Sequence, residues 1–138
     1  MTTTYQMTRS AELESLAFFR GLIDEACSSL TVIDSQACYD LKLAVDEACT
    51  NIIQHGYAGM DPGSIILTIE IDQKSARVTI TDFGHAFEPV EVPAPDLDSE
   101  SLGGMGLFFI HQSTDEIEYE STPTGNRMKL IKYLKARE

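Results

Sequence analysis

Around Gly56 the spacing of apolar residues changes. Before it, Ala37, Leu41, Ala44, Val45, Ala48, Cys49 and Ile52 recur at three- and four-residue steps, the period of a helix buried along one stripe. After the turn signal Asp61-Pro62-Gly63, Ile65, Leu67, Ile69 and Ile71 alternate with Ile66, Thr68 and Glu70, the period of a strand. A chain carrying both patterns must lay helix against sheet, because each element has one apolar side to hide. Asp34 or Ser35 can cap the start of this helix. Its end is expected at His55, with Gly56 in the left-handed C′ conformation.

The same two periods organise the rest. A short extended segment, Thr3 to Thr8, precedes a first helical pattern from Ser10 to Leu30. Leu13, Leu16, Ala17, Phe19, Ile23, Ala26, Cys27 and Leu30 form its apolar face, and Ser10 with Glu14 is a loose start signal. Ala76 to Thr81 reads as a strand joined to its predecessor through Asp72-Gln73-Lys74-Ser75, a hairpin connection. Glu88 to Leu102 has three prolines, five acidic residues and no period, so it is expected as a loop. Unstructured loops of roughly 15 residues are uncommon inside compact domains and are usually either functional lids or disordered. Gly103 to Gln112 restarts as a short helix, and Ile117 to Ser121 and Arg127 to Leu134 read as two closing strands around Thr122-Pro123-Thr124-Gly125. This order predicts an α+β fold, a two-layer sandwich with a mixed, mostly antiparallel sheet and helices on one face.

Composition narrows the function classes. The 138 residues suit one domain, residues 1–138, able to bury about two-thirds of its unfolded surface without a metal or disulfide staple. With 43% hydrophobic and 8% aromatic residues the chain is not a disordered one. Twenty-two acidic against 10 basic side chains, net −12, argue against direct nucleic-acid binding and against docking on anionic membranes. The absence of a secretory pattern or an 18-residue apolar run leads to the expectation of a cytoplasmic protein. Cys27, Cys38 and Cys49 are odd in number and form no C-x-x-C pair, so they are expected as buried small hydrophobes in a reducing compartment. His55, His85 and His111 look too scattered for a metal site.

Three segments have residue types suited to chemistry. Glu47 and Asn51, four apart, share a helix face; a carboxylate can take a hydroxyl proton and an amide oxygen can ligate a hard cation. A solvated helix face would carry the same pair. Thr81-Asp82-Phe83-Gly84-His85-Ala86-Phe87 leaves a strand. There Asp82 can accept from an exocyclic amine, while Gly84 and Ala86 leave room for a flat ring; an ordinary strand exit would look alike. Leu102-Gly103-Gly104-Met105-Gly106-Leu107 opens a helix, where bare N–H groups can hold phosphate, or where the chain merely turns tightly. No Lys or Arg occurs between Arg77 and Arg127, an interval with ten acidic residues. A phosphate there must therefore be held by backbone amides and a divalent cation, unless a base from outside the interval reaches in.

Together the three segments resemble the GHKL ATP-binding fold, and more narrowly the bacterial anti-sigma factor serine/threonine kinases of the partner-switching type. Ala44 to Asn51 with Ile52-Ile53-Gln54-His55-Gly56-Tyr57 is similar to that family's N box. Asp82 to Pro89 matches its Asp-x-Gly box, Gly104 to Ile110 its second glycine box, and Gly125-Asn126-Arg127-Met128 its final strand. The resemblance implies Glu47 as the base activating a partner's hydroxyl, Asn51 as the Mg²⁺ ligand, and Asp82, Gly84 and Ala86 at adenine. It implies Gly104, Met105 and Gly106 at the phosphates, Leu107 also in the nucleotide site, residues 88–102 as an ATP lid, and Arg20 on a partner-binding face. Leu102, Ala86 and Asn126 stand where many relatives have glycine, glycine and threonine.

The resemblance therefore implies an ATP- and Mg²⁺-dependent serine/threonine kinase acting as an anti-sigma factor. It would hold a sigma factor and phosphorylate a STAS-domain anti-sigma-factor antagonist, with room for a homodimer. The alternative is a non-catalytic ATP-binding partner-switch module that only sequesters a protein.

Overall fold

Strong alternation builds the sheet. The computed structural model describes residues 2–28, 35–86, 110 and 113–134. Strands β1 (Thr3–Ser10), β2 (Ser64–Ile71), β3 (Ser75–Asp82), β4 (Glu116–Thr122) and β5 (Gly125–Tyr133) form one sheet in the order β1-β2-β3-β5-β4. Every ladder among the described residues is antiparallel, which corrects the expected mixed sheet. β2–β3 and β4–β5 are hairpins, and antiparallel β5 lies between β3 and β4. The register sets Met7 beside Leu67 and Leu67 beside Ile80, so each strand turns its apolar set toward the same side.

Two helices cover that side. α1 (Ser15–Ser28) packs on β1 and β2, and α2 (Ser35–Asn51) packs on β3 and β5. Phe19, Ile23, Leu41, Val45, Ile65, Leu67, Ile69, Val78, Ile80 and Leu130 are fully buried between the layers. Each such side chain contributes roughly 1.5–3 kcal/mol. An exposed ion pair such as Lys42–Asp24, at 2.9 Å, contributes about 0–1 kcal/mol. The interlayer core therefore decides where α2 lies, and α2 carries the candidate site.

Several local expectations are revised. Ser10 ends β1 rather than capping a helix, and α1 starts at Ser15, whose Oγ donates to Ser10 O at 2.7 Å. α2 does not stop on a left-handed glycine: Gly56 lacks a positive φ, which is confined to Gly59 and Gly125 among the described residues. Instead α2 widens into a π-helical turn, Ile52–Gly56. Cys27 and Cys38 are buried as expected but joined in a disulfide. They sit on facing stripes of α1 and α2 with Cα atoms 6.4 Å apart, within bridging range. Cys49 is free and buried; burial first, then the Asp46 and Asp82 carboxylates, push its thiol far above the ordinary range, so it stays protonated and inert. Ile110 is helical, as expected of the Gly103–Gln112 helix, and Ser113, one residue past its expected end, is helical too. The rest of that helix, the 88–102 loop, His111 and the Asp34 cap lie outside the described residues. Among the described residues no helix is long and apolar enough to cross a membrane.

Candidate functional site

At the end of α2 the helical stripe turns from core to cavity. Ala48, Asn51, Ile52 and His55, spaced as one helix face, line a cavity of about 90 Å³ together with Gly56, Asp82, His85, Ala86, Tyr119 and Met128. Tyr119 and Met128 are register partners on β4 and β5, so the sheet supplies one apolar wall and the helix the other. Mostly apolar walls with a few convergent polar groups are the usual make-up of a small-molecule pocket. Asn51 makes no capping hydrogen bond, so its amide is not consumed by the helix end.

Asp82 is the buried polar centre, at 5% exposure. Its Oδ1 accepts from the Gly84 N–H at 2.9 Å and from Asn126 Nδ2 at 3.0 Å. The Asn126 amide also donates to Gly84 O at 3.0 Å, while its Oδ1 accepts from Ser121 Oγ at 2.7 Å. Among the described residues none of these bonds uses Asp82 Oδ2, which leaves one oxygen able to accept from a guest in the cavity.

His55-Gly56-Tyr57 is a brace. The Tyr57 hydroxyl donates to Ser64 O at 2.7 Å and accepts from the Phe83 N–H at 2.9 Å; burial, chiefly, pushes this phenol above its ordinary range, so it keeps the proton it donates. The Gly56 carbonyl accepts the His85 N–H at 2.6 Å, and the His85 ring Nε2 lies 2.9 Å from Ala58 O. One tyrosine and one histidine thus tie the Asp82–Ala86 segment to the end of α2. Two glycines make this possible. A Cβ on Gly84 would lie 2.2 Å from Gly56 O, and one on Gly63 2.6 Å from the Tyr57 ring.

The expected site residues divide accordingly. Asn51, Asp82 and Ala86 converge on the cavity. Gly84 is not among its lining residues; its bare Cα admits the Gly56 carbonyl rather than a flat ring. Glu47 lies one turn before Asn51 on α2, half-buried, and is likewise absent from the lining. The Arg20 guanidinium, partly exposed, pairs with Asp46 Oδ2 at 2.8 Å, tying α1 to the residue before Glu47, while Asp46 Oδ1 is buried without a partner among the described residues. Gly104, Met105, Gly106 and Leu107 lie outside the described residues.

Sequence reasoning missed several contributors. Ala48, Ile52 and His55 were within reach, since they share Asn51's helical spacing. His55 and His85, read as scattered, meet at the same cavity, although no group of three metal-ligating side chains occurs among the described residues. Tyr119, Met128 and Asn126 enter through strand register, for which the sequence carries no local signal.

The profile of the histidine kinase-like ATPase domain matches residues 9–132. Serine-protein kinase RsbW of Bacillus velezensis is 31% identical over 103 residues, 69% of this chain and 64% of that protein. Serine-protein kinase RsbW of Halalkalibacterium halodurans is 28% identical over 146 aligned positions, 98% of this chain and 86% of that protein. The chain therefore spans less than two-thirds of the Bacillus velezensis relative. A crystal structure of the RsbU and RsbW domains of a Mycobacterium tuberculosis protein shares the fold, with a TM-score of 0.71 at 17% identity over 96% of this chain and 32% of that one. With the profile running from β1 to β5 across the cavity, the chain belongs to the histidine kinase-like ATPase domain family.

Proposed function

We propose that this chain is an ATP-dependent serine/threonine protein kinase that acts as an anti-sigma factor and phosphorylates a STAS-type anti-sigma-factor antagonist. The observation that carries the reading is the convergence of Asn51 and Asp82 on one apolar cavity, with Glu47 one turn from Asn51 on the same packed helix. The serine-protein kinase names of the relatives support the reaction class. Asp82 Oδ2 accepts the adenine amine, and Ala86 and Met128 border the base. Gly84 acts through the loop contact with Gly56. Asn51 holds Mg²⁺, which supplies the positive charge that offsets the phosphates. Gly104, Met105, Gly106 and Leu107 contribute backbone N–H groups to the phosphates, and residues 88–102 form the lid. Glu47 takes the proton from the antagonist's hydroxyl; positioning and electrostatics supply most of the rest in phosphoryl transfer. The sigma factor lies along α1, where Phe18 is exposed and Arg20 reaches the surface, with exposed Leu13 just before the helix. The site of action is the cytoplasm.

The absence of Glu47 from the cavity lining favours a second reading, a module of the same fold that binds nucleotide and partner without transferring phosphate. Incubation with a STAS-domain antagonist and γ-labelled ATP separates the two. Kinase action gives a labelled serine or threonine, and Glu47→Gln lowers the rate by about 10²–10⁴-fold, the usual share of a general base. Transfer unaffected by Glu47→Gln removes Glu47 from that role, and a stable complex with no labelled product establishes the module.

A further inference from the structure

Asn126 occupies a position that no reading of the site has given a task. It is 3% exposed and lies opposite Asp82 in the β3–β5 ladder. Its Nδ2 meets three acceptors, Asp82 Oδ1 at 3.0 Å, Gly84 O at 3.0 Å and His85 O at 3.5 Å, while its Oδ1 meets the Ser121 hydroxyl at 2.7 Å. A flipped amide would set its oxygen against three oxygens, so the network fixes its orientation. Gly125, at φ +141°, sits against Asp82 O and the Phe83 ring, and Thr122 Oγ1 closes the β4–β5 turn by donating to Gly125 O at 3.0 Å. The hairpin delivers Asn126 to Asp82.

Each carboxylate oxygen has about two acceptor sites. On Asp82 Oδ1 both are filled, by Gly84 N–H and by Asn126 Nδ2. Among the described residues no hydrogen bond uses Oδ2, so it is the oxygen left for a guest's donors. Adenine offers one exocyclic amine, beside a ring nitrogen that accepts. Guanine offers N1–H and the N2 amine side by side, a donor pair that a carboxylate takes with both oxygens. We propose that Asn126 is a positioning residue that sets base selectivity: by saturating Asp82 Oδ1 it leaves a single acceptor, which suits adenine and denies guanine its two-point contact. This rests on the reading that the base lies against Asp82.

The test is calorimetric binding of non-hydrolysable ATP and GTP analogues, with Mg²⁺, to the full chain and to Asn126→Thr, Asn126→Val and Asp82→Asn. Thr and Val share a shape suited to a strand, but only Thr can donate to Asp82. The ATP-over-GTP affinity ratio is expected to stay within about threefold of wild type in Asn126→Thr and to fall by about tenfold in Asn126→Val, the size of one hydrogen bond to a charged group. A ratio the same in both variants, including equal weakening of both nucleotides, overturns the proposal. If Asp82→Asn binds the ATP analogue as wild type does, the placement of the base fails and the proposal with it. If Asp82→Asn loses the ATP analogue while the Val ratio is unchanged, only the role of Asn126 fails.

Discussion

Gly84 carries more of the site than its size suggests. The Gly56 carbonyl occupies the place of its missing Cβ, 2.2 Å away, and that neighbour is backbone, which cannot swing aside as a side chain would. Gly84→Ala must therefore push the Asp82 loop off the end of α2, breaking the 2.6 Å bond from His85 N–H to Gly56 O. A loss of about 3 kcal/mol is expected, or roughly 10 °C in melting temperature, together with loss of nucleotide binding. Thermal unfolding and an ATP titration of the variant check both. The sequence identified this glycine but not its reason. Room for a ligand and room for a neighbouring carbonyl call for the same residue, and telling them apart needs Gly56, nearly thirty positions away in the chain. Asp82 was legible as an acceptor at a strand end only once set beside the other two segments, since an ordinary strand exit looks alike; its clamp by Asn126 was not, since that depends on register between strands 44 residues apart.

Among elements, the hairpin and the second helix were legible for the same physical reason: each has its own short-range pattern. Asp72 shows this at the β2–β3 turn, where its Oδ1 accepts the N–H groups of Lys74 at 2.7 Å and Ser75 at 2.8 Å. These two bonds, Lys74 first, hold its carboxyl below the ordinary value of 3.8. A lowered folded value means that the stabilisation is complete above pH 3.8 and fades as pH falls through the folded value. Wild type is therefore expected to melt above Asp72→Ala at neutral pH, with the gap closing as pH drops below 3.8. Melting curves of the pair between pH 7 and pH 2 test this; a gap independent of pH contradicts it. The π-helical end of α2 was not legible. It follows from tertiary ties through Tyr57 and His85, which override the left-handed cap that a glycine at that point ordinarily suggests. The Cys27–Cys38 disulfide escaped for a similar reason, since cysteine counting says nothing about which helix stripes face one another.

For the whole molecule, the distribution of charge matters more than its sum of −12. Ten acidic residues and no base fall between Val78 and Asn126, and half of all basic residues lie between Arg127 and Arg137. The folded sheet sets part of the two groups side by side, Arg127 and Lys129 on β5 opposite Glu120 and Glu118 of β4, while among the described residues those lining the cavity include neither Lys nor Arg. A triphosphate on the proposed reading therefore depends on backbone N–H groups and a divalent cation to offset its charge and that of Asp82. Titration of ATP into the chain by calorimetry, first with Mg²⁺ and then with EDTA in excess, tests this most directly. One-to-one saturable binding with Mg²⁺ that disappears under EDTA is the expected result. Failure to bind ATP with Mg²⁺, or equal binding under EDTA, contradicts it.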